Sequence, residues 1–307
     1  MQIITLTLSP AFDMHCQAET FSAEHENLVR LQLCQAGGKG VNISRALSCN
    51  GLSSLALLVL GEENADNFLK NLSGETFTCR SIKVPGRIRE NITIHTPGMA
   101  ETRISFPGFY AGNELLDQLW DVLESEIDAN TFLTITGRLP EGITAQQMSG
   151  LLYKAAAKGA KLVVDSRSFS LEDLKALKPW LIKPNQEEIS AYLGRPVHAL
   201  EEILQEAQSL HLQGIENVMV SMGEGGALLV CNEGSLIALP PQIAPKSTIG
   251  AGDSAIAGFL ACPDSAPGKR LVYAVAFGTA ACLTEGTLPP EPESIAQILP
   301  LVQLKAL

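Results

Sequence analysis

The most constraining feature of this chain is the regular exchange of short apolar runs with amphipathic stretches. Residues 3–8 are a strand-like run stopped by Ser9-Pro10, 41–47 have helical spacing, 54–60 are continuously apolar, 65–72 read as a helix and 77–84 as a strand. A run without polar alternation suits a strand covered on both faces, and strands separated by helices build a parallel sheet with helices laid over it. The rhythm returns from 115 onward: helix 115–127, strand 132–136, helix 146–158, strand 161–165, a short strand 180–183, helices 188–193 and 201–212, and strand 218–222. Strands 227–231 and 236–239 flank Asn232-Glu233-Gly234 as a hairpin, and the remaining C-terminal part reads as helical. The fold class is therefore α/β.

One stretch breaks the rhythm. Residues 87–96 and 101–106 alternate in polarity on either side of Thr96-Pro97-Gly98-Met99, whose Pro and Gly suit the two central positions of a type II turn. Two strands with no helix between them do not belong to a βαβ layer. Segment 85–108, with residues 11–34, where 28–33 is another alternating run, predicts a small antiparallel β-sheet lid. No repeat, low-complexity tract or linker divides the chain, so a single domain over 1–307 is expected.

Acidic residues outnumber basic ones, 33 to 22, and the formal charge of −11 opposes nucleic acid and anionic membranes, so neither is an expected partner. An anionic small ligand must instead meet a local positive patch. No apolar run approaches the length that crosses a bilayer, and the start MQIITLTLSP has no basic n-region or cleavage site, so the expectation is a cytoplasmic protein. The 7 cysteines form no C-x-x-C pair and the 5 histidines show no ligand spacing. Reduced thiols, mostly buried, are expected, and no histidine-held metal.

Gly250-Ala251-Gly252-Asp253 precedes a helix expected over 254–261, and small residues there let backbone N–H groups crowd around an anion at the helix N-terminus. A carboxylate in that place would repel a resident phosphate. Beside a phosphoryl group in transfer it can instead take the proton of an attacking hydroxyl, while the amides stabilise the moving charge. Two other readings stand beside this one: Asp253 as a cap of its own helix, and Gly250 to Ala255 as a G-x-G-x-x-A dinucleotide turn, which needs a βαβ unit around it.

Gly37-Gly38-Lys39-Gly40-Val41-Asn42 is a second glycine turn into a helix. It lacks the spacing and the Ser or Thr of a Walker A loop, and a tight strand-to-helix turn alone would also explain its glycines. Gly223-Glu224-Gly225-Gly226 is a third, either a plain hairpin connection or, with Ser221, a place to meet a nucleotide phosphate. Arg87, Arg89, Asn91 and Thr93 share one face of a strand. Two guanidiniums there, with Arg103 opposite, suit bidentate capture of a phosphate, or make an ordinary solvated face. Asn185 precedes Glu188 by three, the spacing of a capping box, and the same pair can order water around a nucleotide-bound Mg2+.

In order along the chain, TLSPAFD (7–13), AGGKGVNISRAL (36–47), KPNQEE (183–188), VSMGEGGALL (220–229) and STIGAGDSAIAGF (247–259) resemble the PfkB group of ribokinase-like carbohydrate kinases, and within it 1-phosphofructokinases and tagatose-6-phosphate kinases. The resemblance implies a three-layer α/β/α ribokinase-like sandwich, a lid that often pairs two subunits into a homodimer, and ATP with Mg2+. It implies phosphorylation of a ketohexose phosphate hydroxyl, fructose 1-phosphate to fructose 1,6-bisphosphate first. Tagatose 6-phosphate and fructose 6-phosphate are the alternative acceptors, and a non-catalytic sugar-phosphate sensor is the reading from another class.

By motif position the resemblance assigns Asp13 to sugar hydroxyls and Gly37, Gly38, Lys39 and Asn42 to the sugar-phosphate pocket. Arg87, Arg89 and Asn91 fall near the substrate phosphate. Lys183, Asn185, Ser221, Gly223 and Gly226 fall to the nucleotide, Asn185 and Glu188 to Mg2+, and Gly250, Ala251, Gly252 and Asp253 to the anion hole and base. The chain departs from the group in two places. Arg138, in Thr136-Gly137-Arg138-Leu139-Pro140, stands where the group has a serine, so this cation reads a phosphate, fills part of the pocket or pairs outward. CPDSAPGK (262–269) is shorter and richer in proline than the usual continuation of its helix, on the adenine side.

Overall fold

Strands whose side chains are buried on both faces organise the protein, which is described over Met1–Leu307 by a computed structural model. In chain order the strands are β1 (Gln2–Thr7), β2 (Ala11–Gln17), β3 (Arg30–Gly37), β4 (Leu55–Gly61), β5 (Thr78–Val84), β6 (Arg89–His95), β7 (Thr102–Ser105), β8 (Thr131–Thr136), β9 (Lys161–Asp165), β10 (Leu181–Ile182), β11 (Asn217–Ser221), β12 (Ala227–Cys231), β13 (Gly234–Leu239) and β14 (Gln303–Ala306). Ten of them form one sheet in the order β14-β13-β12-β11-β10-β9-β8-β1-β4-β5. From β11 to β5 every neighbour is parallel, and β12, β13 and β14 extend that edge antiparallel.

Alternation along these strands feeds two cores. Ile4, Leu6, Leu133, Ile135, Leu162 and Val164 face one, while Ile3, Phe132, Val163, Leu181 and Met219 face the other. The first core is closed by helices that include Glu114–Glu126, Ala145–Ala157 and Leu200–Leu212, and the second by Lys39–Cys49, Ala251–Leu260 and Pro267–Ala281. The result is the expected three-layer α/β/α sandwich. Its C-terminal part differs from the sequence expectation, because β14 pairs with β13 instead of continuing as helix.

The separate four-stranded sheet has the order β3-β2-β6-β7. The expected turn joins β6 and β7: the Met99 amide donates to the Thr96 carbonyl at 3.1 Å and Gly98 has φ 76°. The central pair, β2 and β6, runs parallel, so the lid is mixed and not antiparallel. Both strands leave the body in the same sense, one after β1 and one after β5, and are joined through the body, as parallel neighbours must be. All the cysteines are free, yet only Cys16 and Cys231 are fully buried, and Cys49, at a helix end, is exposed. No helix is long and apolar enough to cross a membrane.

Candidate active site

Parallel strands deliver their C-terminal ends to one edge of the sheet, which is where open α/β sheets bind ligands. Ser9 follows β1 there, Arg138 follows β8, Asp165 and Arg167 close and follow β9, Lys183 and Asn185 follow β10, and Ser221 ends β11. Helices Lys39–Cys49 and Ala251–Leu260 begin at the same edge, and the lid strand β2 leaves from it.

Four charged side chains meet at this edge. Asp165 is almost fully buried; its Oδ2 accepts from Lys39 Nζ at 3.0 Å and its Oδ1 lies 3.7 Å from Lys183 Nζ. Burial alone would raise Asp165, but the charges of Lys183 and Lys39 reverse that and hold it below the usual carboxylate range. Burial works against the charge of Lys39, and Asp165, then Asp253, hold its pKa raised. Asp253 is also buried, and its Oδ2 accepts from Asn42 Nδ2 at 2.9 Å. Burial pushes Asp253 up to about 6, Lys39 draws it down and Asp165 pushes it up again. A carboxylate tuned to this range suits a general base at neutral pH.

The glycine turn is built as its residue types require. Gly250 is the helix N-cap in the left-handed region, φ 81°, and the helix starts at Ala251, three residues earlier than expected. The amides of Gly252 and Asp253 find no acceptor within the chain, leaving them free at the positive end of the helix. A Cβ on Gly252 would lie 3.1 Å from Lys183 Nζ, so this ammonium group sits against the turn. Asp253 lies inside the first turn and makes no cap bond, which removes the capping reading. The next element after Ala251–Leu260 is another helix, which removes the dinucleotide reading.

On the lid side, Asn91 Nδ2 donates to Asp13 Oδ1 at 2.9 Å. Burial raises Asp13, opposed by that hydrogen bond and by the nearby charge of Arg89. A Cβ on Gly37 would lie 2.1 Å from Asp13 Oδ2, so the carboxylate rests on bare backbone. Gly38 adopts φ 138°, and a Cβ there would meet Thr7 Cγ2 at 2.5 Å. Arg89 reaches from β6 to within 3.5 Å of the Ser9 carbonyl. Arg87 is not with it: β6 begins at Arg89, and the exposed Arg87 side chain turns to Glu90 at 2.7 Å. Arg103 likewise pairs with Glu101.

On the other side, Asn185 and Glu188 form the reciprocal capping box of helix Gln186–Leu193. Asn185 Oδ1 accepts from the Glu188 amide at 2.8 Å; Glu188 Oε2 accepts from the Asn185 amide at 2.9 Å and Oε1 from Arg167 Nε at 2.7 Å. Both side chains are therefore committed, and no group of three or more His, Cys, Asp or Glu gathers to hold an ion directly. As direct metal ligands the pair does not fit as it stands; as a holder of metal-bound water Glu188 does. Ser221 bridges to Asn185 across β10 and β11. Gly226 has a packing reason of its own, since a Cβ would fall 2.0 Å from the Ala238 carbonyl oxygen.

Asp165 and Arg167 are the residues that sequence reasoning passed over. The signal for Asp165 was present: a lone carboxylate closing an apolar strand that is buried on both faces must have charged partners.

A tuned carboxylate beside free amides, in a cleft between a sheet edge and a lid, is the arrangement of an α/β small-molecule kinase. Comparison with known proteins gives the same class. Residues 12–288 match the model of the pfkB family carbohydrate kinases. The chain is 33% identical to a 1-phosphofructokinase of Rhodobacter capsulatus, over 100% of this chain and 98% of that one. It is 30% identical to the ATP-dependent 6-phosphofructokinase isozyme 2 of Escherichia coli, over 94% of each. The crystal structure of phosphofructokinase-2 from Escherichia coli with substrates and products superposes with a TM-score of 0.90 at 28% identity, covering 98% of this chain and 99% of that one. The chain belongs to the pfkB family of carbohydrate kinases.

Proposed function

We propose that this protein transfers the terminal phosphoryl group of ATP to a hydroxyl of a ketohexose phosphate, with fructose 1-phosphate as the first acceptor and fructose 6-phosphate or tagatose 6-phosphate behind it. The observation that carries phosphoryl transfer is Asp253, held by Asn42 beside the free amides of its own helix. The choice of sugar rests on a relative named 1-phosphofructokinase that matches 100% of this chain, and on others of that name that match 84% of it.

In this reading the ionised Asp253 takes the proton of the attacking hydroxyl, and the amides of Gly252 and Asp253 meet the charge that builds on the transferring group. Asn42 fixes the carboxylate through Oδ2 and leaves Oδ1 for the hydroxyl. Lys39 and Lys183, pinned by Asp165, keep two positive charges at the point where negative charge passes. Asp13, steadied by Asn91, orients the sugar hydroxyls. Glu188 would hold water of a nucleotide-bound Mg2+, which would supply positive charge to the transfer.

We further take the chain, 1–307, as one kinase unit that works in the cytoplasm, where ATP and sugar phosphates are supplied. We assign the lid a second role as a homodimer contact, because Leu28, Leu31, Ile104 and Phe106 are exposed on it. The test is ADP release measured with a panel of sugar phosphates and with unphosphorylated fructose. Turnover with a ketohexose phosphate is expected; binding of sugar phosphates without any ADP release would replace the kinase by a sensor.

A further inference from the structure

A polar cavity of about 210 Å3 lies between the root of lid strand β3, helix Lys39–Cys49 and the loop after helix Pro267–Ala281. Gln35, Arg45, Glu75 and Thr287 are among its walls, and it shares no lining residue with the site described above. Arg45 is only 7% exposed; its Nε donates to Glu75 Oε1 at 2.6 Å, while its buried Nη1 has no partner in the chain. Thr287, 8% exposed, leaves its Oγ1 without a partner, and the buried Gln35 Oε1 has none either. A buried polar group left alone costs more than an average hydrogen bond returns, and a charged donor costs most. Three of them, from three separate segments, line one cavity.

The walls select the chemistry of what they hold. Guanidinium and hydroxyl both donate, and the Gln35 amide donates too once its oxygen and nitrogen exchange places by rotation about the last bond. A carboxylate or phosphate offers acceptors to all three at once, and its bonds to arginine are charge-assisted. The cavity is several times the roughly 30 Å3 of one water molecule, yet below the roughly 300 Å3 at which drug-sized ligand sites begin, so it suits an occupant of few heavy atoms. Its loop wall is fixed, since Thr284 Oγ1 donates to the Leu288 carbonyl at 2.8 Å and Asn50 Nδ2 to the Pro290 carbonyl at 3.3 Å.

Each wall also backs a residue of the active site. Asn42, which holds Asp253, precedes Arg45 by three on the same helix. Gln35 is the register partner of Asp13. A Cβ on Gly250 would lie 3.7 Å from Thr287 Cα, so Thr287 rests against the turn that opens the helix of Asp253. Burial raises Asp13, and Arg45 is among the charges that draw it back, which puts the cavity within electrostatic reach of the sugar pocket.

We propose that this cavity is an effector site for a small oxyanion of carboxylate or phosphate chemistry, held by Arg45, Thr287 and Gln35, whose occupant braces the segments that carry Asp13, Asn42 and Gly250. The site goes beyond the kinase reading, and its binding is measured without catalysis.

The test is thermal melts with sodium acetate and with inorganic phosphate, at constant ionic strength, on the parent protein, Thr287→Val and Glu75→Gln. A ligand of the folded state raises the melting temperature according to its affinity. Thr287→Val keeps the shape and removes one donor, so binding should weaken by roughly 10-fold or more. Glu75→Gln removes the negative charge beside Arg45, so the same anion should bind more tightly than to the parent. A larger shift with acetate marks a carboxylate as the occupant, and a larger shift with phosphate marks a phosphate. Should Thr287→Val melt too low to compare, Glu75→Gln decides alone. Equal responses of all three proteins to both probes overturn the site and leave the cavity to water. In ADP release, acetate should lower KM for fructose 1-phosphate in the parent by about fivefold and leave KM of Thr287→Val unmoved. Binding in the melts with the same KM response in both proteins overturns the effector role. If the parent turns over no sugar phosphate, the kinase reading fails by itself while the melts still decide the oxyanion site.

Discussion

Replacing Asp253 by Asn separates what this carboxylate does for catalysis from what it does to the fold. Its pKa is pushed from 3.8 up to about 6, chiefly by burial. Taken at 1.36 kcal/mol per unit, the ionised form costs the folded protein on the order of 3 kcal/mol at pH 7. The sign follows from linkage. Because the folded pKa lies above the unfolded one, the native state binds the extra proton between about pH 4 and 6; stability falls as pH rises through that window and is flat above it. Asparagine has no such charge and can still accept from Asn42 through its carbonyl oxygen.

The variant should therefore melt higher than the parent at pH 7, with the difference closing toward pH 4. Its turnover should fall by roughly 10² to 10⁴, the usual loss on removing a general base. The parent's kcat/KM should climb about tenfold per pH unit up to about 6 and then level off. ADP release and thermal melts from pH 4.5 to 8 read all three effects. Turnover within about tenfold of the parent would remove Asp253 from proton transfer. A lower melting temperature for the variant at pH 7 would refute the cost assigned to its burial.

Other expectations follow from the same cleft. Asp165→Asn strands Lys39 and Lys183 without their shared carboxylate, and urea unfolding should show a loss of about 3–5 kcal/mol. Since Asp165 is held below the usual range, its contribution is present above the unfolded pKa and is lost as pH falls through the folded value, which acid titration of the parent tests. Gly37→Ala puts a Cβ 2.1 Å from Asp13 Oδ2, so KM for the sugar phosphate should rise at least about tenfold with KM for ATP little changed. Glu188→Gln keeps the helix cap but releases Arg167. A Mg2+ titration should show a higher metal requirement, with stability altered by less than about 1 kcal/mol because Arg167 is largely exposed.

Much of this molecule was readable before folding because its signals are local. Continuous apolar runs gave the parallel strands, helical spacing gave the layers, and the order of Pro97 and Gly98 gave the lid turn. The glycine turns were legible as turns, and Asp253 as an acid within one. Face parity on β6 was right for Arg89 and Asn91 but failed for Arg87, since the strand begins two residues later than the polarity pattern suggests.

Sequence alone thus determined the class of fold, the family and the chain segments that carry the site, because period, turn chemistry and glycine demand are properties of neighbouring residues. Only the tertiary structure decided which charges face one another. Lys39 meets Asp165 across 126 residues, Asn42 meets Asp253 across 211, and Arg89 reaches from the lid to the Ser9 carbonyl across 80. Such pairings depend on strand order and register in the sheet, and electrostatic energy, which falls with distance in space and not along the chain, sets the protonation of the groups that act.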